Sequence, residues 1–60
     1  MRVLITFIGG ASSIEGEFRE NKLDDIVDYL SKNPFIILEK TPYGDVVVNK
    51  SSISYIRRKQ

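Results

Sequence analysis

The residues that could do chemistry in this sequence are carboxylates, serines and a group of cations. Glu15 and Glu17 stand two positions apart, so both would lie on one face of a strand. Paired carboxylates can carry out acid–base catalysis or bind a divalent cation. Two glutamates on a solvated strand face also keep that strand soluble, and nothing beside them in the sequence indicates a pocket. We favour the second interpretation of this pair.

Most side chains that nucleophilic catalysis needs are missing. The chain has no His and no Cys, which excludes thiol chemistry, disulfides and an ordinary zinc site. A serine nucleophile would need a base, and none evidently accompanies Ser12, Ser13, Ser51 or Ser52. A chain of 60 residues also rarely encloses a substrate pocket. We therefore expect a protein that is not an enzyme and has no metal or cofactor.

The small residues at positions 9–13 begin with Gly9-Gly10. Phosphate-binding loops share this character, but they also need a defined glycine spacing and a Lys-Ser/Thr pair, which this segment lacks. Gly can adopt positive φ in a tight turn. The segment therefore favours a hairpin turn over a phosphate-binding loop.

The cations are concentrated in the second half of the chain. Residues 1–30 carry six acidic and three basic side chains, a net −3, whereas residues 31–60 carry six basic and two acidic ones, a net +4. Basic side chains contact phosphates, and exposed aromatic rings can stack on bases. The candidate nucleic-acid-binding residues are Lys50, Tyr55, Arg57, Arg58, Lys59 and Tyr43. A tail can also be basic only for solubility.

Hydrophobic periodicity predicts the elements that would position these residues. Apolar residues at helical spacing, from Leu23 to Leu30, predict a helix over about residues 21–32, with Asn21 as its N-cap. β-Branched and alternating runs predict two strands before this helix and three after it, two of them joined by a turn at residues 41–45. We expect a single domain over residues 1–60, of α+β class and order β-β-α-β-β-β. Its helix would pack on a strongly curved antiparallel sheet or small open barrel.

The predicted strands carry more apolar side chains than one helix can cover. A small chain without disulfides or metals commonly gains stability from a partner subunit. The candidates for a second, self-associating sheet face are Leu4, Ile8, Ile36, Leu38 and Val47. We therefore expect a homo-oligomer, either a dimer or a ring.

Two segments resemble the Sm-like family of RNA-binding proteins, and its Hfq-like branch in particular. In residues 1–18, a strand into Gly10 is followed by the pattern Ile14-x-Gly16-x-Phe18. Residues 35–56 are similar to the family's second half and close on Asn-Lys-Ser-Ser-Ile-Ser-Tyr-Ile. The chain departs from the family in its missing N-terminal helix, its helix between the second and third strands, and its basic motif, of which Lys50 alone remains. The resemblance implies a ring-forming RNA-binding barrel with Lys50 near a uridine- or adenine-binding pocket.

Taken together, these patterns favour a non-catalytic binding and assembly protein that acts through a self-associating sheet face and protein partners. The alternative is an Sm-like module for RNA or other single-stranded nucleic acid, and an enzyme ranks third. No apolar run approaches the roughly 18 residues of a membrane span, and the absence of Cys fits a reducing compartment. We expect a cytoplasmic protein with no membrane partner. Small accessory proteins of phages and mobile elements share this size and makeup.

Overall fold

A computed structural model describes residues 1–10 and 12–60. Within them the chain forms one α-helix and five strands, which confirms the predicted α+β class and element order. In chain order the elements are β1 (Arg2–Phe7), β2 (Ser13–Glu17), α1 (Leu23–Lys32), β3 (Phe35–Thr41), β4 (Gly44–Asn49) and β5 (Ile53–Arg58), with a 3-10 turn (Lys50–Ser52) between β4 and β5.

The described strands form one antiparallel sheet in the order β4-β3-β2-β1-β5. β1 lies between β2 and β5, and its inward side chains Val3 and Ile5 are fully buried. This position explains why the run is apolar on both faces, as expected for a central strand. β4 and β5 are the two edges and do not pair with each other, so the sheet does not close into a barrel.

The sheet bends where β2 meets β3. The register between these two strands contains one residue pair, Glu17 with Glu39, whereas five residue pairs join β1 and β2. Gly16 is buried at the bend and has Leu38 and Thr41 packed directly over its Cα. A residue without a side chain allows β3 to cross the inner face of β2 at close range.

The core lies between the inner face of this bent sheet and α1. Its buried apolar side chains come from β1, β3, β4, α1 and the residue that follows β2; they are Val3, Ile5, Phe18, Ile26, Ile36, Leu38 and Val48. Tyr29 of α1 adds an edge-to-face contact with Phe18, with ring centroids 5.7 Å apart and planes at 73°. Such pairs stabilise beyond the area they bury.

The two faces of β3 are the reverse of the prediction. Ile36 and Leu38, which we expected on an outward self-associating face, are fully buried in the core. The outward side chain is Ile37, which pairs in register with Val47 of β4. Because residues 35–38 are all apolar, the sequence has no apolar–polar alternation here that would indicate which face points inward.

The helix begins later than predicted. α1 starts at Leu23, its N-cap is Lys22, and no side chain caps its first turn, so Asn21 does not act as the N-cap. The acidic first turn, with Asp24 and Asp25, and the basic last turn, with Lys32, are as predicted and suit the helix dipole. Within the described residues, no helix has the length and apolar character to cross a membrane.

Both predicted hairpins are present. β1 and β2 are antiparallel, and the turn between them includes Gly9 at a φ of +74°; Ala11 in this turn lies outside the described residues. The turn between β3 and β4 consists of Pro42 and Tyr43, followed by Gly44 at a φ of +84°. The Thr41 hydroxyl donates to the Gly44 carbonyl at 2.5 Å and accepts from the Tyr43 N–H at 3.0 Å, which closes this turn.

The connection from β4 to β5 crosses from one edge of the sheet to the other. Its 3-10 turn is held at two points along the way. The N–H of Lys50 donates to the Pro34 carbonyl at 2.9 Å, and the N–H of Ile8 donates to the Ser52 carbonyl at 2.9 Å. These bonds fix the start of β5 beside the end of β1.

Candidate protein-docking groove

The glutamate pair forms part of an ion-pair network on the outer face of the sheet. Arg2 Nε donates to Glu15 Oε2 at 2.6 Å, and its Nη1 lies 3.6 Å from Glu17 Oε2. Lys59 Nζ contacts Glu15 Oε1 at 2.9 Å. The Arg2 hydrogen bond, with that from Lys59, holds the pKa of the Glu15 carboxyl below its usual value. This arrangement ties β1, β2 and the residue after β5 together.

The serines considered for catalysis do not form a site with a base. Ser12, Ser13, Ser51 and Ser52 are all exposed. Among the described residues, none of their hydroxyls hydrogen-bonds to a Lys or carboxylate side chain. In the same part of the chain, no three acidic side chains come together in a group that could hold a metal ion.

Three of the candidate nucleic-acid-binding cations have partners inside the molecule. Lys59 contacts Glu15, as described above. Arg58 Nη2 donates to the Asn21 carbonyl at 3.1 Å, and Lys50 Nζ donates to the Leu30 carbonyl at 2.9 Å. All three side chains remain exposed, so these bonds fix the positions of the cations without burying them.

The two candidate aromatic residues lie far apart in the sheet. Tyr43 is in the turn between β3 and β4, whereas Tyr55 is on β5, at the opposite edge. Tyr55 and Arg57 are two positions apart on β5, opposite Thr6 and Leu4 of β1, and both are exposed. The structure thus brings one tyrosine and one arginine together on the outer face of β5, without Tyr43.

The candidate self-association residues do not form one surface. Ile36 and Leu38 are in the core, and Leu4 is half-buried on the outer face of β1. Ile8 and Val47 are both exposed, but Ile8 follows β1 while Val47 lies on β4, the far edge strand. The five residues therefore do not form the single sheet face that the sequence predicted.

Several hollows open on the surface of the described chain, and two of them are lined in part by residues of β5. The first, which we call the turn hollow, surrounds the 3-10 turn, has a volume of about 550 Å³ and is lined by Ile8, Pro34, Asn49, Lys50, Ser51 and Ile53. Three of these six residues are polar, and the hollow has no buried polar group directed into it. We therefore assign no ligand to it.

The second hollow, which we call the helix groove, lies between α1 and β5. Its volume is about 350 Å³, and it is lined by Leu23, Ile26, Val27, Leu30 and Ile56. All five lining residues are apolar. The chemistry of this groove fits an apolar surface of another molecule.

The groove exists because α1 covers only part of the inner face. Leu23, Ile26, Val27 and Leu30 form the apolar stripe of the helix, but Ile26 alone is buried among them. Leu23 is 41% exposed and Val27 68% exposed. The helix packs toward β3 through Ile26 and toward Phe18 through Tyr29, so the side of its stripe near β5 stays uncovered.

Sequence reasoning identified this stripe but assigned it to the core. The spacing of the four residues is that of any core-facing helix. Whether β5 closes against the stripe depends on where the 3-10 turn places Ile56, and no local pattern encodes that. The one signal was the small size of the domain, which indicates that some apolar surface stays uncovered.

Compared with protein-family models, with curated proteins and with solved structures, the chain shows no significant match.

Proposed function

We propose that this chain is a small non-catalytic assembly protein that associates with other protein chains, beginning with further copies of itself, through the helix groove. The observation that carries the proposal is the exposure of Val27 and Leu23 beside Ile56, on an all-apolar lining. Each Å² of such surface removed from water contributes about 25 cal/mol toward association, and this contribution opposes the loss of translational and rotational freedom. The chain has no His and no Cys, and its loop serines have no evident base beside them. Both features support the proposal that the protein is not catalytic.

The test compares two valines that are matched in exposure. Val27 in the helix groove is 68% exposed and Val47 on β4 is 64% exposed. We expect the wild type to self-associate in sedimentation velocity at high concentration. Val27→Gln should weaken this association by about thirtyfold, because a symmetric dimer would lose about 1 kcal/mol of burial at each of two valines. Val47→Gln should leave it unchanged.

Either of two results would reject this proposal. The first is a wild type that stays monomeric at the highest concentration reached. The second is an equal effect of the two substitutions, which would show that the helix groove is not the contact. Circular dichroism and thermal unfolding of both variants establish that each keeps its fold.

Single-stranded nucleic acid is the second candidate partner, and one observation favours it. Tyr55 and Arg57 lie on the same outward face of β5, where a ring could stack on a base while the guanidinium contacts a phosphate. The resemblance to Sm-like proteins points to the same class of ligand. Fluorescence polarisation with a short single-stranded RNA at low salt tests it. Binding should weaken in Tyr55→Ala and Arg57→Gln and with added salt.

A further inference from the structure

The free edge of β5 borders the open side of the helix groove. Among the described strands, β5 pairs with β1 only. Ile56 lies opposite the fully buried Ile5, so its side chain points to the inner face and forms the β5 wall of the groove. A strand added beside β5 would therefore extend the inner face on the side where the groove is open.

The backbone of β5 has polar groups available for such a strand. The Lys59 N–H donates to the Arg2 carbonyl at 2.9 Å, so Lys59 bonds toward β1. Alternate residues of an antiparallel strand bond to the same neighbour, so Arg57 also bonds toward β1. The N–H and C=O groups of Ile56 and Arg58 then point to the open edge, where no other segment of the described chain pairs with them. An edge of this kind is a template for pairing with another chain.

We infer that two copies of the chain join along β5 as antiparallel strands of one continuous sheet, with Ile56 opposite Ile56 of the second copy. This rests on the proposed function and specifies its partner and the register of contact. A two-fold axis perpendicular to the sheet passes between the two isoleucines, so every contact occurs twice. Rotation about this axis keeps α1 of both copies on the same face of the sheet. The open sides of the two helix grooves then face each other.

This register makes β5 complementary to itself. It places Tyr55 opposite Arg57 of the second copy, and Arg57 opposite Tyr55 of the second copy, and both residues are exposed on the outer face. An arginine beside an aromatic ring forms a cation–π contact, and favourable cross-strand pairs stabilise a sheet. On the inner face, the two Ile56 side chains form an apolar pair. No residue from 55 to 57 therefore lies directly opposite one of like charge.

A second copy suits this edge better than other occupants. An unrelated extended peptide could bond to the backbone of β5, but it would bring neither the aligned tyrosine and arginine nor a second apolar groove. A single-stranded nucleic acid could contact Tyr55 and Arg57 but would leave the open edge and Val27 in water. Pairing at β4 would leave the helix groove open, because β4 is the opposite edge of the sheet.

Disulfide cross-linking tests the register directly, because the chain has no cysteine of its own. Residue 55 of one copy and residue 57 of the other would have Cα atoms about 4.5 Å apart, whereas the two residues 55 would be about 7–8 Å apart on the diagonal. A disulfide needs Cα atoms within about 7 Å. Under mild oxidation, a mixture of Tyr55→Cys and Arg57→Cys chains should therefore form mixed disulfide-linked dimers at least about tenfold faster than either variant dimerises alone. Tyr43→Cys mixed with Arg57→Cys is the control and should show no such gain.

A second test changes the charges at the same two positions. Tyr55→Lys places like charges opposite each other at two contacts, so this variant should self-associate about tenfold more weakly than the wild type in sedimentation velocity. Tyr55→Glu with Arg57→Glu has the same defect with the opposite sign. An equimolar mixture of the two variants should form a one-to-one heterodimer, because every contact between residues 55 and 57 then joins opposite charges. Tyr43→Lys makes the matched change at an exposed tyrosine in the turn between β3 and β4 and should associate like the wild type.

The outcomes separate this inference from the proposed function. If the wild type is monomeric, both fail. If Val27→Gln weakens association but the cysteine mixture cross-links no faster than its components, or the charged variants form no heterodimer, the pairing along β5 is wrong while the helix groove stands. If the mixture cross-links as expected but Val27→Gln has no more effect than Val47→Gln, the β5 edge is the contact and the groove is not.

Discussion

Gly16 of β2 lies so close to Leu38 of β3 that a Cβ atom on Gly16 would stand 2.7 Å from Leu38 Cγ. The same atom would stand 2.7 Å from Thr41 Cγ2 and 2.8 Å from the Glu39 carbonyl oxygen. One of these neighbours is backbone, so the clash cannot be relieved by moving side chains alone. The bend of the sheet between β2 and β3 depends on this contact.

Gly16→Ala should therefore destabilise the protein. Overpacking of this kind costs about 1–3 kcal/mol, and each 1 kcal/mol lowers the melting temperature of a domain this small by about 4–8 °C. Thermal unfolding followed by circular dichroism measures the change. Ser13→Ala, at an exposed position on the same strand, is the control and should unfold near the wild-type temperature. An unchanged melting temperature in Gly16→Ala would mean that β3 does not cross β2 at this distance.

Lys40 has a φ of +54°. Among the described residues other than glycine, it alone has a left-handed backbone conformation. This conformation costs an L-residue about 1–2 kcal/mol. Its backbone N–H donates to Asp45 Oδ1 at 3.2 Å, which holds the conformation in place. Lys40→Gly should raise the free energy of unfolding by about 0.5–1 kcal/mol, the strain relief being partly offset by the entropy of glycine in the unfolded chain.

Chemical denaturation of three chains checks this expectation. Lys40→Ala removes the same long side chain but keeps the Cβ atom, so it should give no such gain. Equal stabilities of the Gly and Ala variants would show that the backbone here is not strained.

The comparison of sequence and structure shows where pattern reasoning stops. The order of elements could be read because each strand and the helix has its own periodicity and turn residues. The inward face of β3 could not be read from the sequence, because Ile36, Ile37 and Leu38 are equally apolar. Only the bend at Gly16 decides which of them is buried. A sequence that is apolar on both faces of a strand indicates that the strand is buried, but it does not indicate which face points into the core.

The candidate sites show a similar limit. Lys50 and Arg58 stood out as free cations in the sequence, but each donates to a backbone carbonyl near α1, at positions 20 and 37 residues away along the chain. No local pattern reports such long-range bonds. The helix groove was also beyond reach, because its two walls, Val27 and Ile56, belong to elements that meet only in the folded chain.

Glu15 should make the stability of the protein depend on pH in acid. Its folded pKa lies below the ordinary value of 4.5, chiefly because Arg2 donates to the carboxylate and also because Lys59 does. A lowered pKa means that the fold favours the ionised form. The stabilisation is therefore fully present above about pH 4.5 and is lost as the pH falls through the lowered folded pKa.

Denaturant unfolding at pH 7 and at a pH below that window measures this contribution. The wild type should lose more stability on acidification than Glu15→Gln, whose side chain does not titrate. Glu20→Gln is the control, because Glu20 is exposed and has no ion pair within the described residues; it should behave like the wild type. Equal acid sensitivity of wild type and Glu15→Gln would show that the Arg2 and Lys59 contacts contribute nothing.

α1 should open more readily than the sheet. The helix buries Ile26 while most of its stripe stays accessible, whereas β1 is paired on both sides and buries Val3 and Ile5 fully. Segments with few buried apolar contacts open at free energies well below that of global unfolding. In native-state hydrogen exchange, the amides of α1 should therefore exchange at least about tenfold faster than those of β1.

The same measurement connects the dynamics of the helix to assembly. If a second copy covers the helix groove, association removes Val27 and Leu23 from water and stabilises the closed helix by mass action. Protection of the α1 amides should then rise with protein concentration in the wild type but not in Val27→Gln, and β1 amides should show no such dependence below global unfolding. Protection of α1 equal to that of β1 at every concentration would mean that helix and sheet unfold as one unit, and that the exposed stripe leaves the helix no weaker than the strands.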